Sequence, residues 1–355
     1  DTANLSEQDI ADGWRFACQN CICDDTVIFV PESALMADGH RILAQTADAD
    51  EAEVLPGVRK IYAEMAEPTM DDNHADLLRL EAHTGPARID LALLHDLPRR
   101  MREWNYAGTA VLTDHHLIDF QQGDTTGACY GAAFDIGTTT IAGSLMDLTT
   151  GDELALESDI NPQVRFGDDV LSRILHAATP DARAELRDVL VDTLNTLIEG
   201  LCTQAGVARD DIYELSFSGN TTMEHLLCGI DVTPLGQVPF VPAHARALLV
   251  PAQELGLNVH PRAAAYIFPI IGGFVGGDTV ACMVAADFDT DTGPTLLVDI
   301  GTNGEIVLKH GDKIFASSTA AGPAFEGARI RYGMRATTGA IDKIVITDDV
   351  AYTVI

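Results

Sequence analysis

The sequence predicts a mixed α/β protein whose larger domain is built from two copies of one unit. The first observation is a hairpin pattern that occurs twice, as Phe134-Asp135-Ile136-Gly137-Thr138-Thr139-Thr140 and as Val298-Asp299-Ile300-Gly301-Thr302-Asn303-Gly304-Glu305. The second is a meander of three predicted strands around each copy, over residues 130–160 and 294–318. The third is the alternation of helices and strands between the two meanders, which is typical of an α/β domain.

The composition limits the classes of partner. The chain has 355 residues and 46% of them are hydrophobic, which is enough for roughly two domains with buried cores. It carries 22 basic and 54 acidic residues, a net charge of −32. Because nucleic acids and anionic membrane surfaces select basic proteins, we expect neither as a partner. The 7 irregularly spaced cysteines favour a reducing, cytoplasmic setting over a disulfide framework.

Residues 1–30 are predicted to be the end of a ferredoxin-like domain and a linker. A short helix, the run Arg15-Phe16-Ala17-Cys18-Gln19 and a strand follow one another. This order resembles the end of a plant-type ferredoxin, in which one cysteine ligand of a two-iron cluster lies far from the other three. The resemblance implies that Cys18 is an iron–sulfur ligand in the full-length protein. The other three ligands would precede Asp1, so a 2Fe-2S cluster is not expected in this chain alone.

Residues 31–126 are predicted to form a small α/β middle domain. Helical spacing of apolar residues covers Asn73–His83 and Ile89–Trp104, the second interrupted by Pro98. A hairpin is predicted from Gly108 to Phe120. No motif in this region carries chemistry, so its expected role is docking or dimerisation, which makes the protein a predicted homodimer.

Residues 127–290 are predicted to be the first half of the duplicated domain, and residues 291–355 the start of a truncated second half. In the first half, helices are expected at Gly167–Ala178 and Pro180–Ala205, the latter with proline in its first turn and leucines one turn apart. A buried strand at Ile212–Phe217 follows, then a helix from Met223.

Each hairpin is expected to approach an anion. In the first, Gly137 lets the backbone come close to a ligand, and the loop N–H groups and the hydroxyls of Thr138, Thr139 and Thr140 can donate hydrogen bonds. Asp135 ends the strand, where a carboxylate can hold hydrated Mg²⁺. The second hairpin offers an equivalent set, namely Asp299, Gly301, Thr302, Asn303, Gly304 and Glu305. Two such hairpins could grip a polyphosphate between them.

Two other stretches are candidates for the same site. Asn220 and Thr221 lie between a predicted strand and a helix, which suits phosphate or water positioning. Helix capping is the alternative role of this pair. Gly272 and Gly273 belong to a glycine-rich run between a strand and a helix.

The duplicated arrangement resembles the superfamily of acetate and sugar kinases, Hsp70 and actin. The resemblance implies a duplicated ribonuclease H-like ATPase core, with the small α/β middle domain in front of it. It implies that the hairpins are two phosphate loops, that Asp135 and Asp299 are acids on the Mg²⁺ side, and that Gly272-Gly273 lies where the lobes pivot. Glu305 is a candidate for orienting the attacking water, with an exposed strand residue as the alternative.

A longer stretch narrows the family. It comprises Thr319-Ala320-Ala321-Gly322-Pro323-Ala324-Phe325-Glu326-Gly327-Ala328-Arg329-Ile330, Gly333-Met334-Arg335-Ala336 and Gly339-Ala340-Ile341-Asp342. Together with the hairpins and the ferredoxin-like end, it resembles the ATP-dependent reductive activators of corrinoid proteins. The family implies ATP and Mg²⁺ as cofactors, and a corrinoid protein or corrinoid methyltransferase as partner. Its implied activity is electron transfer from an iron–sulfur cluster that takes Co(II) of the cobalamin to Co(I).

One departure from the family concerns the nucleotide. The adenosine-binding glycine motif expected in the second half is absent before Ile355. The phosphate loops are therefore expected in this chain and the adenine site is not.

Three alternatives remain at this point. A small-molecule kinase of the acetate and sugar kinase superfamily would need a general base, for which Asp278 is a candidate, but no substrate motif accompanies it. A dehydratase activator would need cysteines paired for a cluster within the ATPase lobes, and the cysteines there show no such spacing. A binding protein with an inactive nucleotide site is disfavoured by the two intact loops.

Overall fold

The computed structural model describes residues 56–113, 115–288, 293–301, 303–320, 341–346 and 350–354. These residues belong to one compact unit, His40–Ile355. Cys18, the run from Ala321 to Ala340 and Thr302 lie outside the described residues.

The small α/β domain is a four-stranded sheet covered on one face by two helices. Its elements are β1 (Val58–Glu64), α1 (Asp76–Thr84), β2 (Arg88–Ile89), α2 (Leu91–Glu103), β3 (Ala107–Thr113) and β4 (His116–Gln122), with strand order β1-β3-β4-β2. Leu80, Leu97 and Met101 of the helices are fully buried against Phe120 of the sheet. Helix α2 runs through Pro98 without a break, so the predicted interruption is absent.

A six-stranded sheet forms the centre of the larger domain. Its elements are β5 (Tyr130–Ile136), β6 (Thr140–Asp147), β7 (Glu153–Ile160), α3 (Val170–His176), α4 (Pro180–Ala205), β8 (Ile212–Gly219), α5 (Thr221–Leu227), β9 (Leu248–Pro251), β10 (Ala264–Ile267) and α6 (Gly277–Ala285). The strand order is β7-β6-β5-β8-β10-β9, with β5, β8 and β10 parallel to one another. The loops that follow these three strands therefore leave the sheet at the same edge, where ligands bind in open α/β sheets.

Helix α4 supplies most of the core behind this sheet. Its apolar stripe packs against the first meander, and five of its leucines, Leu186, Leu190, Leu194, Leu197 and Leu201, are buried. The helix begins after the Thr179 cap with Pro180 in its first turn and ends at Gly206, which adopts the left-handed conformation. This burial fixes the position of β5 and of the loop behind it.

The second meander repeats the antiparallel order of the first. It consists of β11 (Thr295–Ile300), β12 (Asn303–His310) and β13 (Lys313–Ala320), and β14 (Ile341–Ile346) pairs separately with β15 (Val350–Val354). In the first hairpin Asp135 faces Ala142, and in the second Asp299 faces Glu305. The repeat expected from the sequence is thus present in the strands.

A polar junction joins the small domain to the six-stranded sheet. The buried ring of Tyr213 in β8 lies under the Lys60 ammonium of β1, 4.9 Å from its centroid, and the Tyr213 hydroxyl accepts a hydrogen bond from Gln121 at 2.6 Å. Lys60 also donates to Gln121 Oε1 at 3.0 Å and to the carbonyl of Ala128. Burial lowers the pKa of Lys60. No helix in the described part of the chain is long and apolar enough to cross a membrane.

Candidate phosphate site at the ends of the parallel strands

The first hairpin loop lies at the carboxyl edge of the sheet. Asp135 is the penultimate residue of β5 and pairs in register with Ser218 of the parallel strand β8, whose hydroxyl lies 3.5 Å from Asp135 Oδ1. The loop Gly137–Thr139 then turns into β6. A Cβ on Gly137 would lie 2.6 Å from the carbonyl oxygen of Thr140, so this turn needs glycine.

Three consecutive carbonyl groups of this loop face the protein interior. The side-chain amide of Asn161 donates to Gly137 O at 2.8 Å, and the backbone N–H of Asn161 donates to Thr139 O at 2.8 Å. Between them, the guanidinium of Arg173 donates to Thr138 O. Asn161 and Arg173 are both fully buried.

Asn220 connects the second parallel strand to the same loop. Its side-chain oxygen accepts the N–H of Met223 at 3.1 Å and so caps helix α5, while its amide donates to Thr138 Oγ1 at 3.0 Å. The structure thus shows the capping role of Asn220, and its role in positioning phosphate or water remains a prediction. Thr221, next along, donates its hydroxyl to Gly272 O at 2.7 Å.

The glycine-rich segment after β10 lies directly against this turn. A Cβ on Gly276 would come within 2.5 Å of Asn220 Cα, and one on Gly273 within 2.3 Å of the carbonyl oxygen of Phe240. This close approach brings the first turn of α6, with Asp278, to the carboxyl edge where Asp135 lies. Whether the lobes pivot at Gly272 and Gly273 remains a prediction.

Three aspartates interact across the site. Burial and, to a smaller extent, the negative charges of Asp278 and Asp299 together raise the pKa of Asp135 to about 6, while the Ser218 hydroxyl opposes them. The Asp135 side chain is still reached by water. It therefore lies in an open cleft, where protein surrounds the carboxylate on several sides without covering it. The pKa of Asp278 is also raised, mainly by burial and then by Asp299.

The second hairpin contributes a carboxylate that is held in place. Glu305 Oε1 accepts a hydrogen bond from Ser318 at 3.0 Å, across the β12–β13 pair. Burial raises the pKa of Glu305, and the charges of Asp278 and Asp299 add to the effect. The two aspartates whose charges act on Glu305, Asp278 and Asp299, are the same two that act on Asp135. Gly301, Asn303 and Gly304 form the turn of this hairpin, whose Gly301 N–H donates to Asn303 O at 3.0 Å.

A buried acid lies behind Asp278. Glu224 of α5 is completely buried, and neither of its carboxyl oxygens has a hydrogen-bond partner among the described residues. Burial raises the pKa of Glu224 to about 9, and the charge of Asp278 contributes. A Cβ on Gly277 would lie 2.0 Å from Glu224 Oε1, so this glycine makes room for the carboxyl group at the start of α6.

The acids suit a hydrated cation better than a directly bound one. Among the described residues no group of three His, Cys, Asp or Glu side chains is arranged to hold a metal ion directly. The groups that act on the Asp135 carboxylate are two further carboxylates and one hydroxyl, and none is basic. A Mg²⁺ ion that keeps several waters would relieve this repulsion, and it would let the acids face an anionic phosphate.

The structure thus brings the predicted residues of the first hairpin to the same edge of the sheet as Asn220, Thr221 and Asp278. The negative charge of Asp299, in the second hairpin, acts on Asp135 and Asp278 at this edge. Sequence analysis missed Asn161, Arg173, Ser218 and Glu224. Three of them are buried polar residues from separate elements, and only Ser218, which adjoins the Asn220 motif, had a local signal. The roles of the predicted site residues remain predictions.

Comparison with known families places the chain. Three models of one family match it in order: the RACo linker region over residues 47–127, the RACo middle region over 130–291, and the C-terminal ASKHA domain of RACo over 293–355. The small α/β domain lies within the stretch that matches the linker region. The domain boundaries inferred from the sequence remain predictions.

Three relatives carry informative names. The corrinoid activation enzyme RamQ of Eubacterium limosum is 38% identical over 236 residues, 66% of this chain and 40% of that protein. A methylated amine-specific Co(II) corrinoid protein reductase of Methanosarcina barkeri is 30% identical over 223 residues, 60% of this chain and 40% of that protein. A solved reductive activator for a corrinoid iron–sulfur protein superposes with a TM-score of 0.79 at 34% identity, covering 99% of this chain and 59% of its own.

These matches agree in family, and the chain spans less than two thirds of the length of each of the three relatives. The mixed α/β sheets and the repeated hairpins are those expected of an ASKHA-type ATPase. The chain belongs to the RACo family.

Proposed function

We propose that this chain is the phosphate-binding part of an ATP-dependent reductive activator that returns a corrinoid protein from Co(II) to Co(I). The observation that carries the proposal is the pair of hairpins whose aspartates, Asp135 and Asp299, interact across one acidic cleft. The names of the three relatives favour a corrinoid target over the small substrate of a kinase.

The residues of the site support a division of labour. The N–H groups of the loop after Asp135 and its threonine hydroxyls would bind phosphate oxygens, and the amide of Asn220 would fix the Thr138 hydroxyl in place. Glu305, fixed by Ser318, would accept a hydrogen bond from a water molecule next to the terminal phosphate. Mg²⁺, held through water by Asp135 and Asp299, would neutralise phosphate charge when bound.

Hydrolysis would then provide the energy for an unfavourable electron transfer. In the full-length protein Cys18 would be one ligand of a 2Fe-2S cluster, and that cluster, when reduced, would supply the one electron needed to take Co(II) to Co(I). Co(I) is a strong reductant, so electron transfer to Co(II) without ATP would be unfavourable. We also propose that two copies of the protein form a homodimer through the small α/β domain. We propose that ATP hydrolysis drives the electron transfer through a conformational change between the two hairpins.

The test mixes reduced full-length protein, ATP, Mg²⁺ and a Co(II) corrinoid protein, and follows the absorption spectrum of Co(I). We expect Co(I) to appear only with ATP, and ATP hydrolysis to accelerate when the corrinoid protein is added. A parallel sample with Asp135→Asn should give no Co(I). Failure with every corrinoid protein tried, together with phosphate transfer to a small acid or sugar, would establish the kinase instead.

A further inference from the structure

Arg173 is a buried cation whose contacts all lie behind the first phosphate loop. Its guanidinium donates to Thr138 O, to Gly167 O at 3.0 Å, to Gln163 Oε1 at 3.3 Å and to the Met223 sulfur at 3.3 Å. None of these acceptors is charged. Among the described residues no carboxylate forms an ion pair with Arg173, which is 0% exposed.

A buried arginine without a paired carboxylate is costly, because its charge has lost water without gaining a counter-ion. Burial lowers the pKa of Arg173 to about 10, and the more distant Asp168 and Asp169 oppose the shift. The group is therefore still protonated at neutral pH. Charged groups kept at such a cost cluster at functional sites, and this guanidinium holds the loop that is proposed to bind phosphate.

The geometry of the loop follows from the same contacts. In a trans peptide the C=O of one residue and the N–H of the next point in opposite directions. Asn161 and Arg173 hold the carbonyl oxygens of Gly137, Thr138 and Thr139 toward the interior. The N–H groups of Thr138 and Thr139 consequently point away from it. No hydrogen bond from the N–H of Thr138 or Thr139 reaches another described residue.

We propose that Arg173, together with Asn161, is a positioning residue that locks this loop with two successive N–H groups outward, those of Thr138 and Thr139, and adds its own positive charge behind them. This makes the loop selective for the phosphates of a nucleoside polyphosphate, since successive N–H groups form an anion-binding concavity. Arg173 acts through the loop and does not touch the ligand. The proposal rests on the proposed ATP-binding function and deepens it.

Substitutions of Arg173 and Asn161 can distinguish a role in phosphate binding from a role in overall stability. Arg173→Gln removes the charge and most of the donors, and Arg173→Lys keeps the charge with a smaller donor set. Asn161→Asp keeps the oxygen that accepts Gln163 N–H at 3.0 Å but replaces the donor to Gly137 O by a carboxylate. A matched control is Arg79→Gln in the small domain. Arg79 is 8% exposed and donates to the carbonyl oxygens of Ala66 and Asp72, far along the chain from the loop. Unlike Arg173, it also forms an ion pair with the Asp72 carboxylate at 2.7 Å, so it controls for the loss of a buried arginine but not for an unpaired charge.

The experiment measures the affinity of the intact protein for ATP, ADP and AMP with Mg²⁺ by calorimetry, beside thermal unfolding of each variant. For Arg173→Gln we expect ATP binding to weaken at least about tenfold and AMP binding to change less than about twofold, with Arg173→Lys in between. Arg79→Gln should lower the melting temperature and leave the ratio of ATP to AMP affinity unchanged. If Arg173→Gln does not fold, Asn161→Asp should show the same preferential loss of ATP affinity.

Equal losses for ATP and AMP in the Arg173 and Asn161 variants would show that these residues only support the fold, and would overturn the proposal. That result would leave the proposed function standing, because it is judged separately by formation of Co(I). Conversely, wild-type protein that binds ATP with the expected dependence on Arg173 but reduces no corrinoid would retain this inference and remove the proposed activity. Wild-type protein that binds no nucleotide would overturn both.

Discussion

The side-chain amide of Asn220 contacts both the first hairpin loop and helix α5. Its nitrogen donates to Thr138 Oγ1 at 3.0 Å, and its oxygen caps helix α5 by accepting Met223 N–H at 3.1 Å. One side chain thus ties the loop after β5 to the end of the neighbouring parallel strand β8. The two bonds use different atoms of the amide, so substitutions can separate them.

We predict that Asn220→Asp retains stability and loses ATP hydrolysis. Aspartate caps a helix as well as asparagine does, but it cannot donate to the Thr138 hydroxyl and it places a negative charge beside the phosphates. Hydrolysis by the intact protein should fall at least about tenfold, with a melting temperature close to that of wild type. Asn220→Ala should instead lose both, at a cost of about 1 kcal/mol of stability. Equal hydrolysis by Asn220→Asp and wild type would limit Asn220 to capping.

The second prediction concerns the charge of Asp135. Its pKa in the folded protein, about 6, is raised above the ordinary value for aspartate, mainly by burial. A raised carboxyl pKa favours the protonated form in the folded state. The wild-type protein therefore loses stability as the pH rises from about 4 through about 6. Asp135→Asn removes this loss, so it should melt higher than wild type above pH 7 and match it near pH 4, while abolishing ATP hydrolysis.

Thermal unfolding across this pH range, with and without Mg²⁺, tests the assignment. Mg²⁺ should raise the melting temperature of wild type more above pH 7 than near pH 4. The melting temperature of Asp135→Asn should not show this pH-dependent effect of Mg²⁺. A melting difference between the two proteins that stays constant with pH would mean that the pKa of Asp135 is not raised in the folded protein. Unchanged hydrolysis in the variant would make the hairpin structural.

Much of the fold could be predicted because local signals agreed with the tertiary structure. Helix α4 was placed correctly from its proline start and its leucine spacing, and strands β5 and β7 have the predicted bounds. The helix expected at 167–178 is shorter, Val170–His176, because Asp169 caps it by accepting Ser172 N–H at 2.7 Å. A 3₁₀ turn at Pro162–Phe166 precedes it.

The site was harder to predict where its residues come from different elements. Arg173 lies in a short helix, where an arginine is expected to face solvent, and it contacts a loop 35 positions earlier in the chain. Glu224 lies in a helix that the sequence predicts, yet its burial depends on Gly277, which belongs to another element. Periodicity and motifs describe neighbours along the chain, and these contacts are set only when the parallel strands align.

We predict a pH-dependent stability contribution from Glu224. Its pKa, raised to about 9 mainly by burial, means that the folded protein keeps the proton over a range in which the unfolded chain releases it. Stability from this group is fully present below about pH 4.5 and is lost as the pH rises through about 9, by at most about 1.4 kcal/mol per pH unit. Glu224→Gln carries no titrating proton there, so its stability relative to wild type should increase with pH.

Urea unfolding at several pH values between about 5 and 9 measures this difference. Glu199→Gln, a substitution of an exposed glutamate on helix α4, provides the comparison and should show no such trend. A difference between Glu224→Gln and wild type that does not change with pH would mean that Glu224 is ionised in the folded protein. The unpaired carboxyl oxygens would then need a partner beyond the described residues.

The last prediction concerns the junction between the small domain and the six-stranded sheet. Lys60 donates to Gln121 Oε1 at 3.0 Å and to Thr125 O at 3.3 Å, and its charge lies over the ring of Tyr213. Lys60→Met keeps much of the buried stem but removes the donor. Gln121 Oε1 and Thr125 O keep bonds from the Thr125 hydroxyl and from Ala128 N–H, whereas the carbonyl oxygen of Ala128 loses its donor among the described residues, at about 1–3 kcal/mol. We expect the wild-type small domain to unfold together with the sheet, and Lys60→Met to separate a first, small-domain transition from the second. Calorimetry resolves the two, and Tyr213→Phe, which removes the Gln121 partner but not the ring, should destabilise the junction less. A single transition at an unchanged temperature in Lys60→Met would show that apolar packing alone joins the domains.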